Sequence, residues 1–243
     1  MLKGAIFDLG GTLIHLTTSL EQLREERIRA IYDALKRNGV ALNFNDLRRE
    51  YVKLHEEESE YAARTLEEIE VGESLPRLLD RLGVDSRERP PMLDLVKTFF
   101  ALEVNSWVLF PGVHEMLADV RGLALRMGIL SNARSDWAVR EIIDRLEIAK
   151  YFDAIVTSAS VGFRKPRPEP FQQVLKQLGV KAGEAVMIGN SVEADIAGAR
   201  SLGLKTIHVI LGNDVDEKGA DPDAMVYAVS EIVPAIRRIA AGC

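Results

Sequence analysis

The chain has 243 residues, 47% of them hydrophobic and 28% charged, which suits one α/β domain or a domain with a large insertion and reads as a soluble globular protein. No apolar run approaches the roughly 18–20 residues a membrane span needs, and the single cysteine, Cys243, leaves no internal disulfide to form, so a reducing, cytoplasmic setting is expected. The net charge of −6 is concentrated in residues 17–107, with 14 Lys/Arg against 19 Asp/Glu, while the remainder holds 17 against 18; this acidic stretch argues against a nucleic-acid partner, which needs a basic footprint.

Ala5, Ile6 and Phe7 form a short apolar run that ends on Asp8 and is followed by Gly10 and Gly11, the pattern of a buried strand entering a turn. With a strand expected so near the start, no secretory leader is expected. Asp8 then stands at the carboxyl edge of a sheet, where open α/β sheets bind ligands; taken alone, it reads equally well as a cap of the next turn. Thr17, Thr18 and Ser19 are N-cap candidates, of which Thr18 with Glu21 fits a capping box, and Leu20, Leu23, Ile28, Ile31 and Leu35 keep helical spacing up to Gly39. A second helix is expected from near Asn45 to about Glu70, with Leu47, Tyr51, Leu54, Tyr61, Leu66 and Ile69 inward and no strand pairing within 45–70. Its His55–Glu60 stretch, H-E-E-E-S-E, reads as a solvated face. Leu75, Leu78, Leu79 and Leu82 mark a third helix ending at Gly83. Pro90-Pro91 restart the chain into a fourth carrying Leu95, Phe99, Phe100 and Val104. Among the cations of this region, Arg48, Arg49, Lys53 and Arg64 are the ones to consider for an anionic ligand, and each reads first as a surface residue.

From Pro111 onward helix and strand alternate. Helices are expected over 113–123, 136–146, 168–178 and 196–202, and strands over 125–130, 154–157, 185–188 and 206–210. An edge strand at 224–228 and a closing helix at 232–240 complete the pattern. Such alternation predicts a parallel sheet covered by helices on both faces.

Several apolar runs end on polar residues. Ile129-Leu130 runs into Ser131-Asn132, and Val186-Met187-Ile188 into Gly189-Asn190, with Asp195 behind; the loop Gly162-Phe163-Arg164 leads to Lys165-Pro166. Together with Asp8 and Thr12, this series resembles the haloacid dehalogenase superfamily over residues 1–14 and about 108–212. The resemblance implies a doubly wound, Rossmann-like parallel sheet of order 3-2-1-4-5. It also implies a core domain of 1–16 and 107–243 and an all-helical cap domain of 17–106. Asp8, Ser131, Lys165, Asn190 and Asp195 should then meet at one edge, beside the crevice between strands one and four. In the family's phosphatases the first aspartate is a nucleophile that forms an aspartyl phosphate. Asp8, Lys165, Ser131 and Thr12 are thereby implied as catalytic groups, and Gly10, Gly11, Asn132 and Lys165 as phosphate-binding ones. Mg²⁺ is implied as cofactor, with Asp8, the Gly10 carbonyl, Asn190 and Asp195 as its candidate ligands and Glu193 as an alternate. The implied partner is a small phosphorylated substrate, with neither nucleic acid nor membrane.

Two positions depart from those phosphatases. Asn190 stands where they usually have aspartate, which removes one negative charge from the metal site. Gly10 stands where they carry a second aspartate as general acid, and His15 or a residue of the helical segment is the available stand-in. The alternatives are a 2-haloacid dehalogenase in which Asp8 attacks carbon without metal, C–P hydrolysis through an imine on Lys53 or Lys36, and a non-catalytic phosphate-binding protein.

Overall fold

The structure is a computed structural model that describes residues 1–211 and 221–242; Cys243 lies outside them. The chain opens with β1 (Gly4–Phe7) and β2 (Ile14–Leu16), then α1 (Leu20–Arg37), α2 (Phe44–Thr65), α3 (Val71–Arg81) and α4 (Met92–Ser106), and returns through β3 (Trp107–Leu109). It continues with α5 (Val113–Gly122), β4 (Arg126–Ser131), α6 (Asp136–Arg145), β5 (Ala154–Thr157), α7 (Ser158–Val161), α8 (Pro168–Leu178) and β6 (Ala185–Gly189). A π-helical turn at Val192–Ala197 leads to α9 (Gly198–Ser201), β7 (Lys205–Val209), β8 (Ala224–Val226) and α10 (Ile232–Ala241).

Among the described residues six strands form one parallel sheet of order β5-β4-β1-β6-β7-β8, the expected 3-2-1-4-5 order with the 224–226 strand added at the edge. Every residue of β1 is buried, because β4 and β6 flank it and helices cover both faces. Side chains such as Ile6 and Phe7, fully buried, each contribute about 1.5–3 kcal/mol. Phe7 pairs in register with Ile129 of β4 and Ile188 of β6, so the residues that follow these three strands emerge side by side. This register brings Asp8, Ser131 and Asn190 to one edge.

Helices α1 to α4 leave and rejoin this core through an antiparallel ribbon, β2 against β3, that the sequence pattern does not reveal. Each strand of the ribbon is only three residues long, too short to display a period. The N-cap of α1 is Ser19 rather than Thr18, and its box partner is Gln22 rather than Glu21: Ser19 Oγ accepts from Gln22 N at 3.1 Å, and Ser19 N donates to Gln22 Oε1 at 3.2 Å. Leu20 is exposed, so the buried stripe begins at Leu23.

Helix α2 stops at Thr65, short of the expected Glu70, where Leu66 turns left-handed (φ 58°). The chain beyond it is extended and docks on the core. Glu68 N donates to Gly162 O (2.9 Å), Arg164 N to Leu66 O (2.9 Å), and Val71 N to Arg134 O (3.0 Å). Glu67 and Phe163 form a single antiparallel bridge, contrary to the expectation of no pairing within 45–70. Continuing the helix would deny these backbone groups the partners that the core loops offer. The apolar core runs without a break from the insertion (Ile28, Leu47, Leu75, Phe99) to the sheet and its helices (Phe7, Ile129, Ile143). Among the described residues no helix is long and apolar enough to cross a membrane.

Candidate active site

Asp8 follows β1 directly, its N–H held by Ile188 O at 2.9 Å. Lys165 reaches it from the loop before α8, and the ammonium is fully engaged: Nζ donates to Asp8 Oδ1 (2.7 Å), Asp195 Oδ1 (2.6 Å) and Leu130 O (2.7 Å). Burial works against this ammonium, but the Asp195 and Asp8 carboxylates outweigh it and hold the Lys165 pKa above its ordinary value. Burial pushes the Asp195 carboxyl up to about 6, even though the Lys165 ammonium pulls the other way. Asn132 fixes the lysine's main chain, its Oδ1 accepting from Lys165 N (2.8 Å) and its Nδ2 donating to Lys165 O (3.0 Å).

Asp195 arrives on the π-helical turn that follows β6, one turn earlier than the helix expected from Ile196. Wide turns of this kind are frequent at functional sites. The turn carries Asp195 back over Gly189, where any Cβ would fall 2.6 Å from the Asp195 Cβ. Both carboxylate oxygens of Asp195 are taken, Oδ1 by Lys165 and Oδ2 by Ser191 N at 3.0 Å.

On the other side of Asp8 lies a corner of oxygens. The Asn190 amide, with its NH₂ turned inward, donates to Gly10 O and Asp8 Oδ2, each at 3.2 Å. Turned the other way, its Oδ1 meets the same two oxygens and also accepts from Thr12 Oγ1 at 3.3 Å. In that second orientation the Gly10 carbonyl, Asp8 Oδ2 and Asn190 Oδ1 face one another, and carboxylate, carbonyl and amide oxygens suit a hard cation such as Mg²⁺. Among the described residues no group of three His, Cys, Asp or Glu side chains is arranged to hold a metal, so this mixed donor set is the one that fits.

Gly11 makes the corner possible. Its φ is +80°, and a Cβ there would lie 2.9 Å from Asn190 Cγ. Gly11→Ala is therefore expected to displace Asn190 and to destabilise the protein by about 1–3 kcal/mol. Thermal unfolding and metal titration of the variant check both; an unchanged melting point together with unchanged metal affinity would refute this account.

Asp8, Gly10, Ser131, Asn132, Lys165, Asn190 and Asp195 line one cavity of about 730 Å³, within the range of small-molecule sites. Thr12 and Gly11 do not line it; Thr12 is wholly buried beneath Asp8 and donates to its Oδ2 at 3.1 Å. His15 is also absent from the wall, packed on Phe110 with ring centroids 4.8 Å apart. Nor do Arg48, Arg49, Lys53 and Arg64 reach it: Arg48 pairs with Glu25 and Arg49 with Asp46 at the surface.

The far wall is built by residues that the sequence reading did not place at the site: Arg27, His55, Glu58, Glu103 and Trp107 from the insertion and its ribbon, and Arg134 from the β4–α6 loop. The His55–Glu60 stretch is thus not simply a solvated face. Glu58 is buried and ion-paired with Arg134, whose Nη1 lies 3.3 Å from His55 Nδ1. Burial, with Arg134 beside it, lowers the His55 pKa. A signal was available, since Glu58 continues the buried Leu47, Tyr51, Leu54 spacing on the inner face of α2.

The model of the family described as haloacid dehalogenase-like hydrolase matches residues 2–203. A glyceraldehyde 3-phosphate phosphatase of Methanocaldococcus jannaschii is 26% identical, covering 98% of this chain and 99% of that one. A second, from Pyrococcus abyssi, is 30% identical over 85% of this chain and 81% of its own length. The crystal structure of a 2-haloacid dehalogenase from Pseudomonas syringae pv. Tomato DC3000 superposes with a TM-score of 0.68 at 24% identity, covering 98% of this chain and 100% of that one, a likeness of fold. With four polar motifs meeting at one sheet edge and a family match across most of its length, the chain belongs to the haloacid dehalogenase-like hydrolases.

Proposed function

We propose that the protein is a Mg²⁺-dependent phosphatase of small phosphorylated metabolites that works through a phosphorylated Asp8. The observation that carries this reading is the division of labour around the Asp8 carboxylate. Lys165 holds Oδ1 at 2.7 Å, while Oδ2 faces the oxygen corner of Gly10 and Asn190. The similarity to glyceraldehyde 3-phosphate phosphatases over nearly the whole chain supports the same class of reaction.

Asp8, Gly10 and Asn190 would hold the cation. Bound there, it supplies positive charge that lets an anionic carboxylate approach an anionic phosphate. Asp8 Oδ1 attacks phosphorus, and Lys165 balances charge on the nucleophile and on the transferring oxygens. Asp195 keeps the lysine charged and in place, Asn132 fixes the lysine's loop, and Ser131 offers its hydroxyl from the cavity wall. Thr12, beneath Asp8, orients the carboxylate through Oδ2. Helices α1 to α4 act as a cap, which would exclude water from the site and so strengthen these interactions. In this assignment Asp195 serves the lysine, with neither oxygen left for a metal.

A panel of phosphate esters, acyl phosphates and 2-haloacids, each assayed with Mg²⁺ and with EDTA, tests the reading. Phosphate release that EDTA abolishes is the expected result, whereas metal-independent halide release would replace it with a dehalogenase. Asn190→Asp restores a negative charge to the corner. It should tighten Mg²⁺ binding by roughly tenfold or more, the effect of about 1.4 kcal/mol, as read by calorimetry on the protein without substrate. Equal or weaker binding in that variant would remove Asn190 from the ligand set.

A further inference from the structure

Resting on the phosphatase reading, we propose that the substrates are acyl phosphates of small carboxylic acids, mixed anhydrides whose leaving group departs without a proton. The argument begins at Gly10, two residues beyond Asp8 and on the cavity wall. A Cβ built on it would come 3.3 Å from Trp107 Cη2 and 3.7 Å from Cζ3, so the carbon edge of the indole fills the space beside the nucleophile where a longer side chain would point. The indole N–H lies at the other end of the ring, 3.5 Å from Glu103 Oε1. Trp107 is anchored there by its pairing with Leu16 in the ribbon and by Arg145, which donates to its carbonyl.

Among the described residues, no other group on the wall is placed to give a proton, since both Asp195 oxygens are held, by Lys165 Nζ and Ser191 N. The three donors of Lys165 are committed to Asp8, Asp195 and Leu130. The carboxylates of the far wall are ion-paired, Glu103 with Arg27, Glu58 with Arg134 and Glu68 with Arg164. Burial, together with the Arg134 guanidinium that faces it, favours the neutral form of His55.

A general acid contributes about 10²–10⁴-fold when the leaving group is a strong base. An alkoxide is such a base, its conjugate acid lying near water's pKa of about 15.7. A carboxylate, with a pKa near 4, is not. The same ion pairs narrow the choice further. Among the described residues the cations of the far wall, Arg27, Arg134 and Arg164, are each ion-paired with a carboxylate, which disfavours the second phosphate of a phosphoric anhydride. The apolar side chains that line the same cavity, Trp107, Phe99 and Phe100, suit a carbon acyl group.

The reaction balances without a donated proton. Asp8 Oδ1 bonds to phosphorus, and the P–O bond to the acyl group breaks with its electron pair remaining on the departing carboxylate. Water then attacks the phosphorus of the aspartyl phosphate, its protons leave with inorganic phosphate, and Asp8 is regenerated.

The test measures kcat/KM at saturating Mg²⁺ for acetyl phosphate, aryl phosphates of graded phenol pKa, glycerol 3-phosphate and pyrophosphate. Acetyl phosphate is expected to exceed glycerol 3-phosphate by about 10³-fold or more, with the aryl series falling steeply as phenol pKa rises. Gly10→Asp combined with Trp107→Ala, which clears the space, should raise glycerol 3-phosphate relative to acetyl phosphate by about 10²-fold. Should that double variant fail to fold, the wild-type series decides alone. A flat series overturns the inference and leaves the phosphatase reading standing, and so does pyrophosphate outpacing acetyl phosphate. Failure to turn over any phosphorylated compound overturns both.

Discussion

Asp8→Asn should abolish turnover while leaving the fold intact. The substitution keeps the size of a side chain that is 7% exposed and removes the charge that attacks phosphorus. Loss of a nucleophile that acts within a tightly coupled site costs on the order of 10⁴–10⁶ in kcat. Stability should move by no more than about 1 kcal/mol, because Lys165 keeps Asp195 as a one-to-one partner and Thr12 can still donate to the amide oxygen. Both quantities come from one preparation, by phosphate release and by thermal unfolding. Appreciable residual turnover would show that Asp8 is not the nucleophile and would end the phosphatase reading. A collapse of the melting temperature would instead show Asp8 to be a structural group.

Lys165→Met should be costly in both respects. Its ammonium lies 2.7 Å from Asp8 and 2.6 Å from Asp195, and the lysine side chain is 2% exposed. Removing it leaves two carboxylates facing an apolar side chain with no counter-charge. Breaking a buried ion pair from one side costs about 3–5 kcal/mol, or roughly 6–20 °C in melting temperature for a chain of this size. The penalty should depend on pH in a definite direction. Burial already pushes Asp195 up to about 6, and loss of the ammonium raises it further. A carboxyl raised above its unfolded value binds its proton more readily in the folded protein, so stability rises as pH falls through the folded pKa. The gap between Lys165→Met and wild type should therefore be narrower at pH 5 than at pH 8. Lys165→Met combined with Asp195→Asn should recover most of the lost stability and none of the activity. Urea unfolding at the two pH values measures all of this. A pH-independent gap, or a double variant less stable than the single one, would contradict the charge argument.

Much of the framework was legible before any coordinates. The run Ala5–Phe7 ending on Asp8 marks a buried strand because its apolar residues are contiguous and glycines close it. The alternation after Pro111 identifies a parallel sheet because each helix and strand shows its own period within about ten residues. Asp8, Ser131, Lys165, Asn190 and Asp195 each follow such a run or its loop, and their arrival at one edge was implied once the family resemblance supplied the strand order. Glu58 shows the limit of that reading. It lies on the spacing of Leu47, Tyr51 and Leu54, yet a patch of charges reads as solvated until Arg134, 76 residues away, is known to face it.

Features decided by tertiary contact have no local pattern. The β2–β3 ribbon joins residues about 90 apart through two three-residue strands. The end of α2 depends on backbone partners offered by residues 162–164 and 134. Asp195 serves the lysine because a π-helical turn, stabilised by the surrounding packing, swings it over Gly189. Gly10 makes the same point most directly. The sequence alone establishes that no proton donor is attached at that position, since glycine has no side chain. That Trp107 fills the vacant space follows only from the ribbon that carries the indole there. Periodicity and turn chemistry act over a few residues and can be read along the chain, whereas the partner of a buried charge or the occupant of a gap is chosen by packing across it.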